Sequence, residues 1–252
     1  MDIIYGRNTV KSAIKSGRPL DKLLASKDID DPSVREILTL ATQRHIPIVR
    51  VDKRKLDSLT QPFGYEGKPA NHQGVVAVTP AMEYAEVEDI LARAAEKGEP
   101  PFVVLLDGVT DEGNLGSIIR SAEVLGAHGV IIGKHRSASL SAAVCKAASG
   151  AAELLPVAKV TNLTATIEQL KEKNIWVVAA DASAPSADTV NMAGAIALVI
   201  GAEGEGISRL VLESCDLKAS IPMKGQTGSL NAAVAAAVLM YEKTRQDAAK
   251  KR

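Results

Sequence analysis

The chain has 252 residues, of which 46% are hydrophobic, and its 30 Lys and Arg balance 30 Asp and Glu. That size and apolar fraction can fill one large core or two modest ones. No apolar run approaches the roughly 20 residues needed to cross a bilayer, and the start MDIIYGRNTVK lacks a signal-peptide apolar region, so a membrane protein is excluded and the cytoplasm is expected. Cys145 and Cys215 stand alone, without C-x-x-C spacing or nearby paired histidines. This pattern predicts two small buried hydrophobes and neither a disulfide framework nor a metal site.

Charge is uneven along the chain. Residues 1–79 hold 13 Lys and Arg against 9 Asp and Glu, residues 80–100 hold 2 against 6, and residues 101–252 hold 15 of each. The basic first segment is compatible with nucleic-acid contact, although many ordinary domains carry a similar excess. Within it, strand-like runs LDKLLAS (20–26), IPIVRV (46–51) and GVVAVT (74–79) surround a helix. On that helix Val34, Ile37, Leu38 and Ala41 share one face, Asp31 is the expected N-cap and Pro32 the first helical residue. Residues 1–79 therefore read as a small α/β domain, 80–100 as an acidic helical connector ending in Gly98, and 101–252 as a second domain.

From residue 102 the pattern alternates. Strand FVVLLDGV is followed by a helix from Leu115 to about Leu125, strand GVIIG, a helix near 140–149, strand LLPVAKV, a helix over about 162–173, strands WVVAAD and IALVIG, and a long helix from near Ser229. Strands of continuous Val and Ile alternating with helices predict a mostly parallel sheet covered on both faces. Ligands of such sheets bind at the carboxyl ends of the strands.

Three loops expected at those ends carry unusual residues. In DGVTDEGNLGSIIRSAEVLG (107–126), Asn114 can cap the helix, and Gly116 and Arg120 share a face four residues apart. Arg120 reads either as a surface arginine or as a phosphate or ribose clamp. In LVIGAEGEGIS (198–208), Gly201, Gly204 and Gly206 run G-x-x-G-x-G, which is neither the dinucleotide fingerprint nor the phosphate loop, and Glu203 and Glu205 would repel phosphate. A tight turn with positive φ accounts for the glycines but not for Glu203. In IPMKGQTGSLNAAVAAAVLMYE (221–242), Ser229 is the expected N-cap, and the polar Ser229 and Asn231 stand at the entry to a helix of small apolar residues.

Taken together, the segments NLGSIIRSAEVLG, VIGAEGEGIS and IPMKGQTGSLNAAVAAAVLMYE resemble the motifs of the SpoU family of the SPOUT superfamily, the AdoMet-dependent RNA ribose 2′-O-methyltransferases. IIYGRNTVKSAI and HQGVVAV also resemble the substrate-binding extension of the subgroup that methylates 23S rRNA. The resemblance implies a deep trefoil knot in a methyltransferase domain over 101–252, a substrate RNA-binding domain over 1–79 and a homodimer joined through the knotted domains. It implies AdoMet contacts at Gly201, Ile221, Met223, Leu230 and Asn231, and no metal.

By the same resemblance Arg120 acts on the ribose 2′-hydroxyl, as general base or by stabilising the developing alkoxide, while Asn114, Glu203, Ser229 and Asn231 orient it, the ribose or the loop backbones. Of the two glutamates, Glu203 is the favoured functional one, with Arg120 as its partner. The chain departs from the family where Glu112 stands in place of a common proline and where NAAVAAA lacks a serine after the asparagine. Arg7, Lys11, Lys15 and Arg18 lie near one helix, and Lys11, Lys15 and Arg18 can share a face for RNA phosphates or simply for water. The favoured substrate is a guanosine of 23S rRNA. Alternatives are a tRNA ribose, a resistance-type rRNA adenosine, or a catalytically silent RNA-binding assembly factor.

Overall fold

The computed structural model describes every residue except Met1, Asp30, Ala81, Gln226, Thr227, Lys251 and Arg252. In chain order its elements are β1 (Asp2–Tyr5), α1 (Arg7–Ser16), β2 (Lys22–Ser26), α2 (Pro32–Gln43), β3 (Ile48–Val51), α3 (Lys53–Thr60), β4 (Val75–Thr79) and α4 (Val87–Glu96). There follow β5 (Phe102–Asp107), α5 (Glu112–Val124), β6 (Gly129–Gly133), α6 (Ala142–Ala147), β7 (Val157–Val160) and α7 (Leu163–Glu172). The chain ends with β8 (Trp176–Ala180), β9 (Ile196–Gly201), α8 (Arg209–Ser214), β10 (Leu217–Ala219) and α9 (Ala232–Lys250). Two compact units result, one of Met1–Glu83 with Leu140–Leu154 and one of Tyr84–Ser139 with Leu155–Arg252.

The first unit is built on a four-stranded sheet in the order β1-β4-β2-β3, parallel only between β2 and β3. The helix expected after Asp31 forms as read, with the Asp31 carboxylate accepting the Val34 N–H at 3.1 Å and Pro32 opening the helix. The helix expected near 140–149 forms as α6, but segment 140–154 belongs to the first unit and not to the second domain, and its Ala142 joins the cluster of Tyr5, Leu24, Leu56, Val76 and Val78. A buried ion pair fixes it there. Arg18 Nη1 donates to Glu153 Oε1 at 2.6 Å, while Nε donates to Thr79 Oγ1 at 3.0 Å and Nη2 to the Pro80 carbonyl at 3.1 Å. Both side chains are nearly closed off from solvent, at 10% and 4% exposure.

The second unit holds a six-stranded, wholly parallel sheet in the order β10-β8-β9-β5-β6-β7. Successive side chains alternate between its faces. Val103, Leu105, Ile131, Val177 and Val199 pack with Val87 and Ile90 of α4, Ile167 and Leu170 of α7 and Val211 of α8. Val104, Leu106, Val130, Ile132, Leu198 and Ile200 are equally buried on the other face, where α5 lies on β6, and α9 packs against β9 and α5. Burial on both faces is why these strands read as unbroken apolar runs. The acidic stretch expected as a connector contains α4, which enters this core through Val87 and Ile90.

Four elements escaped the sequence pattern. β1, α8 and β10 span four, six and three residues, too few to show a period. α3 begins Lys53-Arg54-Lys55, cations at the end of a helix where the backbone dipole disfavours them.

Two expectations follow for stability. Arg18→Ala leaves Glu153 buried without its partner and lowers the unfolding free energy by about 3 kcal/mol, read by chemical denaturation. His128, 2% exposed, accepts the Phe102 N–H at Nδ1 (3.0 Å) and meets Glu99 through Nε2 (3.1 Å). Burial holds its pKa below the ordinary value, against the pull of Glu99. The folded state therefore refuses a proton that the unfolded state accepts near pH 6.5. This contribution is complete above about pH 6.5 and is lost as pH falls toward the folded pKa. Denaturation midpoints between pH 7.5 and 5.5 should decline accordingly, and less so in His128→Gln.

Candidate active site

The chemistry-bearing loops meet where the sheet changes direction. From β5 the chain moves outward to β6 and β7, whereas β9, β8 and β10 fill the other side. Asp107 and Gly201, the last residues of β5 and β9, stand in register. Loops leaving such a switch point diverge and open a crevice at the carboxyl ends of the strands.

Residues 202–206 fold back as a tight hairpin in which Ala202 and Gly206 exchange two backbone hydrogen bonds of 3.0 Å. The glycines have two separate reasons. Gly204 and Gly206 adopt φ of 81° and 71°, where a side chain is strained. A Cβ on Gly201 would stand 2.2 Å from the Gly206 carbonyl carbon and 2.4 Å from the Ile207 nitrogen, backbone atoms that no rotamer change can move.

Glu203, within this hairpin, collects donors from two other loops. Its Oε1 accepts Asn114 Nδ2 at 3.2 Å, the Ala232 N–H at 3.1 Å and a short bond from Asn231 Nδ2. Asn231 Nδ2 also donates to Asn114 Oδ1 at 2.8 Å. Asn231 Oδ1 accepts the N–H groups of Ala233 at 3.0 Å and Val234 at 3.2 Å. Every amide atom is thereby assigned its orientation by a partner of the opposite kind. The glutamate satisfies an otherwise orphaned N–H at the positive end of a 19-residue helix.

Two capping expectations are corrected by this geometry. α9 starts at Ala232 and is capped by Asn231, not Ser229. An asparagine can cap through its oxygen while its nitrogen reaches Glu203; a single hydroxyl cannot donate and accept in both directions so well. α5 starts at Glu112 and is capped by Asp111, whose carboxylate accepts the Asn114 N–H at 2.7 Å, so Asn114 lies inside the first turn. Glu112 occupies the first helical position, where its charge suits the dipole as proline's fixed φ would suit the backbone.

Arg120 is exposed on α5 and makes no hydrogen bond or ion pair with the described residues. The expected pairing of Arg120 with Glu203 is replaced by the three amide donors. Glu205 is exposed, and no described residue bonds it.

Beside the hairpin lies a cavity of about 400 Å³ at the ends of β8, β9 and β10. Gly201, Ile221, Met223, Leu230, Ser229 and Glu203 line it, whereas Asn114, Arg120 and Asn231 stand outside the lining. Gln226 and Thr227, in the same loop, lie outside the described residues. The described lining contains no Lys, Arg or His but two carboxylates, Glu203 and Asp181. Asp181 was missed from sequence, although its place just after strand WVVAA was a visible signal. Its carboxyl is held below the ordinary range by the Ser183 N–H (2.9 Å) and then the Ser183 hydroxyl (2.8 Å), with Lys218 at 3.9 Å adding to the effect. An apolar pocket with carboxylates and no cation suits a cationic or neutral ligand and opposes a phosphate.

The four basic residues expected to face RNA have diverse surroundings. Arg7 pairs with Asp31, Lys11 with Glu36 at 2.6 Å and Arg18 with Glu153 at 2.6 Å, while Lys15 is exposed without such a partner. α1 ends at Ser16 and Gly17 turns left-handed, which puts Arg18 beyond the helix. Both cysteines are in environments that raise their thiols, chiefly by burial, to about 11 for Cys145 and about 12 for Cys215. Among the described residues no three His, Cys, Asp or Glu side chains gather to hold a metal ion, and no helix is long and apolar enough to cross a membrane.

A family model described as the SpoU rRNA Methylase family matches residues 101–241. The chain belongs to this family. A second model, described as "RNA 2'-O ribose methyltransferase substrate binding", matches residues 3–85 of this SpoU member. The protein named "Putative TrmH family tRNA/rRNA methyltransferase YacO" of Bacillus subtilis is 45% identical over 247 residues, 97% of this chain and 96% of that one. A TrmH family counterpart in Staphylococcus aureus, also named a putative tRNA/rRNA methyltransferase, is 42% identical over 246 residues, again 97% and 96% of the two chains. Among solved structures, the SpoU methyltransferase AviRb from Streptomyces viridochromogenes, in complex with AdoMet, superposes with a TM-score of 0.79 at 28% identity, covering 97% of this chain and 89% of that one. The deep knot implied by the SpoU resemblance is consistent with membership of this family.

The close approach at Gly201 makes a specific expectation. Gly201→Ala forces the 202–206 hairpin off its position at a cost of about 1–3 kcal/mol. Hydrogen exchange at the Ala232 amide, whose acceptor sits on that hairpin, should accelerate more than exchange in β5.

Proposed function

We propose that this SpoU member transfers a methyl group from AdoMet to a ribose 2′-hydroxyl of RNA, with a guanosine of 23S rRNA as the favoured target. The single observation that carries the reading is the cavity beside Gly201: apolar walls, two carboxylates and no cation in the described lining. Ile221, Met223 and Leu230 supply apolar contact for an adenine ring, and Glu203 and Asp181 suit hydroxyl groups and positive charge. When bound, AdoMet supplies a methyl group already activated by its sulfonium.

The protein's task is positioning and charge management. As the O–CH₃ bond forms and the S–CH₃ bond breaks, the 2′-hydroxyl gives up its proton to solvent water and the sulfonium becomes a neutral thioether. Arg120 is exposed and bonds no described residue, which leaves its five donors available to an RNA phosphate or to the developing alkoxide. A guanidinium stays protonated throughout the physiological range, so electrostatic stabilisation by Arg120 is favoured over proton abstraction. Asn114, Glu203 and Asn231 serve as positioning residues: they tie the start of α5, which carries Arg120, to the hairpin and to the cap of α9. Ser229, on the cavity wall, orients the loop between β10 and α9.

An rRNA target is supported by the description of the matching family as rRNA methylases and an RNA substrate by the substrate-binding match over residues 3–85; a tRNA ribose is the second reading because the similar proteins carry tRNA/rRNA names. A homodimer is supported by α9, where Val234, Val238 and Tyr241 form one exposed apolar stripe, 49%, 41% and 60% accessible. The working compartment is then the cytoplasm, where ribosomal RNA and AdoMet occur together.

Incubation with labelled AdoMet and unmodified 23S rRNA or tRNA transcripts, followed by mapping of the labelled ribose, tests the reading. Transfer to a 2′-oxygen is the expected result, and no transfer to either RNA overturns it. In Arg120→Ala, turnover should fall about 100-fold or more while AdoMet affinity by calorimetry is unchanged. Near-normal turnover would remove Arg120 from the mechanism.

A further inference from the structure

Of the basic residues expected to face RNA, Arg7, Lys11 and Arg18 are neutralised by Asp31, Glu36 and Glu153. A further group of cations in the first unit gathers around β3 and α3. Arg50 on the edge strand β3, Lys53, Arg54 and Lys55 in the first turn of α3, and Lys68 are all exposed, and their side chains make no ion pair or hydrogen bond with the described residues. The nearby Asp52 faces Lys27 at 3.7 Å and Asp57 holds His72 at 3.0 Å, so neither offsets the α3 cluster. Three cations at a helix start oppose the backbone dipole. Among the described residues none forms an ion pair with them.

An aromatic ring stands on the next turn of chain. Tyr65 is 81% exposed in a protein with only 3% aromatic residues. Its turn is rigid: Tyr65 and Lys68 form an antiparallel bridge, with the Lys68 N–H on the Tyr65 carbonyl at 3.0 Å. Between them Glu66 and Gly67 both take positive φ, 51° and 72°, the conformation of a type I′ turn. A Cβ on Gly64 would fall 1.7 Å from the Lys68 carbonyl oxygen, so that position admits only glycine. Gln61 Nε2 donates to the Gly67 carbonyl at 2.8 Å and fastens the turn to the end of α3. The eight residues of α3 span about 12 Å, a few nucleotides of extended strand, with the cations at the start of the helix and the turn fastened at its end. Holding a ring in water on a turn with a strained non-glycine residue costs stability and gives the core nothing.

We propose that α3 and the 64–68 turn form a single-strand RNA contact surface, with Tyr65 stacking on an unpaired base and Lys53, Arg54, Lys55 and Lys68 engaging phosphates. The inference rests on the RNA substrate proposed above. Stacking accepts any base and phosphate contacts read no sequence, so this surface supplies affinity and placement while target choice is made elsewhere.

The test uses the full chain and fluorescence anisotropy with labelled fragments of 23S rRNA transcript and with tRNA transcript over a range of salt. Tyr65→Ala should weaken binding about 10-fold or more, with Tyr65→Phe close to wild type. The triple variant Lys53→Gln, Arg54→Gln, Lys55→Gln should weaken binding and flatten the plot of log affinity against log salt by about 0.7 per lost contact. AdoMet affinity by calorimetry should be unchanged in both. Wild-type affinity and salt slope in both variants would overturn this surface while leaving the methyltransferase reading intact. A wild-type protein that binds AdoMet but neither RNA would overturn the proposed substrate and this surface together.

Discussion

One carboxylate oxygen holds the reaction edge of this protein together. Glu203 Oε1 receives a side-chain amide from α5, a side-chain amide from the cap of α9 and the first backbone N–H of α9 itself. These donors come from residues 89, 28 and 29 positions away in sequence. A neutral group could accept such bonds, but only an anion also gains from the positive end of a long helix. The wall of the cavity, the start of the helix that carries Arg120 and the entry to α9 therefore share one anchor. Backbone space at Gly201 sets where that anchor can be, because the hairpin returns against the end of β9 with no room for a side chain.

The same logic separates the two roles that charge has in this chain. Charges that hold the fold are paired and shielded, as in Arg18 with Glu153, or assigned to caps, as in Asp31 and Asp111. Other charges are exposed and bond no described residue, among them Arg120 in the second unit and the α3 cluster in the first. The described cavity lining carries carboxylates and no cationic side chain, whereas exposed cations lie on the outer surface of each unit. A cationic methyl donor and a polyanionic acceptor need opposite electrostatic environments, and the chain supplies each in a different place.

Neutral net charge conceals this division. A composition count over residues 1–79 detects a basic excess but cannot tell Arg7, Lys11 and Arg18, which have acidic partners 24, 25 and 135 positions away, from Lys53, Arg54 and Lys55, which have none among the described residues. For Arg18 the partner lies on segment 140–154, joined to the first unit only after the chain has already built two strands of the second sheet. Helical spacing alone made Lys11, Lys15 and Arg18 look like one face. The left-handed turn at Gly17 breaks that continuity.

The sequence by itself determined the class of fold, the strands β2 to β9 as apolar runs, the Asp31 cap and the family. Those features depend on side-chain periodicity, local capping chemistry or motif order, all carried within a few residues. It also marked Gly201, Glu203, Asn114, Asn231 and Arg120 as unusual, without being able to say which touched which. Tertiary structure alone decided that Asn231 and Asp111 cap the helices in place of Ser229 and Asn114, that Glu203 bonds amides in place of Arg120, and that Asp181 joins the cavity wall. Those outcomes turn on which donor reaches an acceptor from a distant loop. A hydrogen bond is specified to within a few tenths of an ångström, and the packing of the whole sheet fixes that distance.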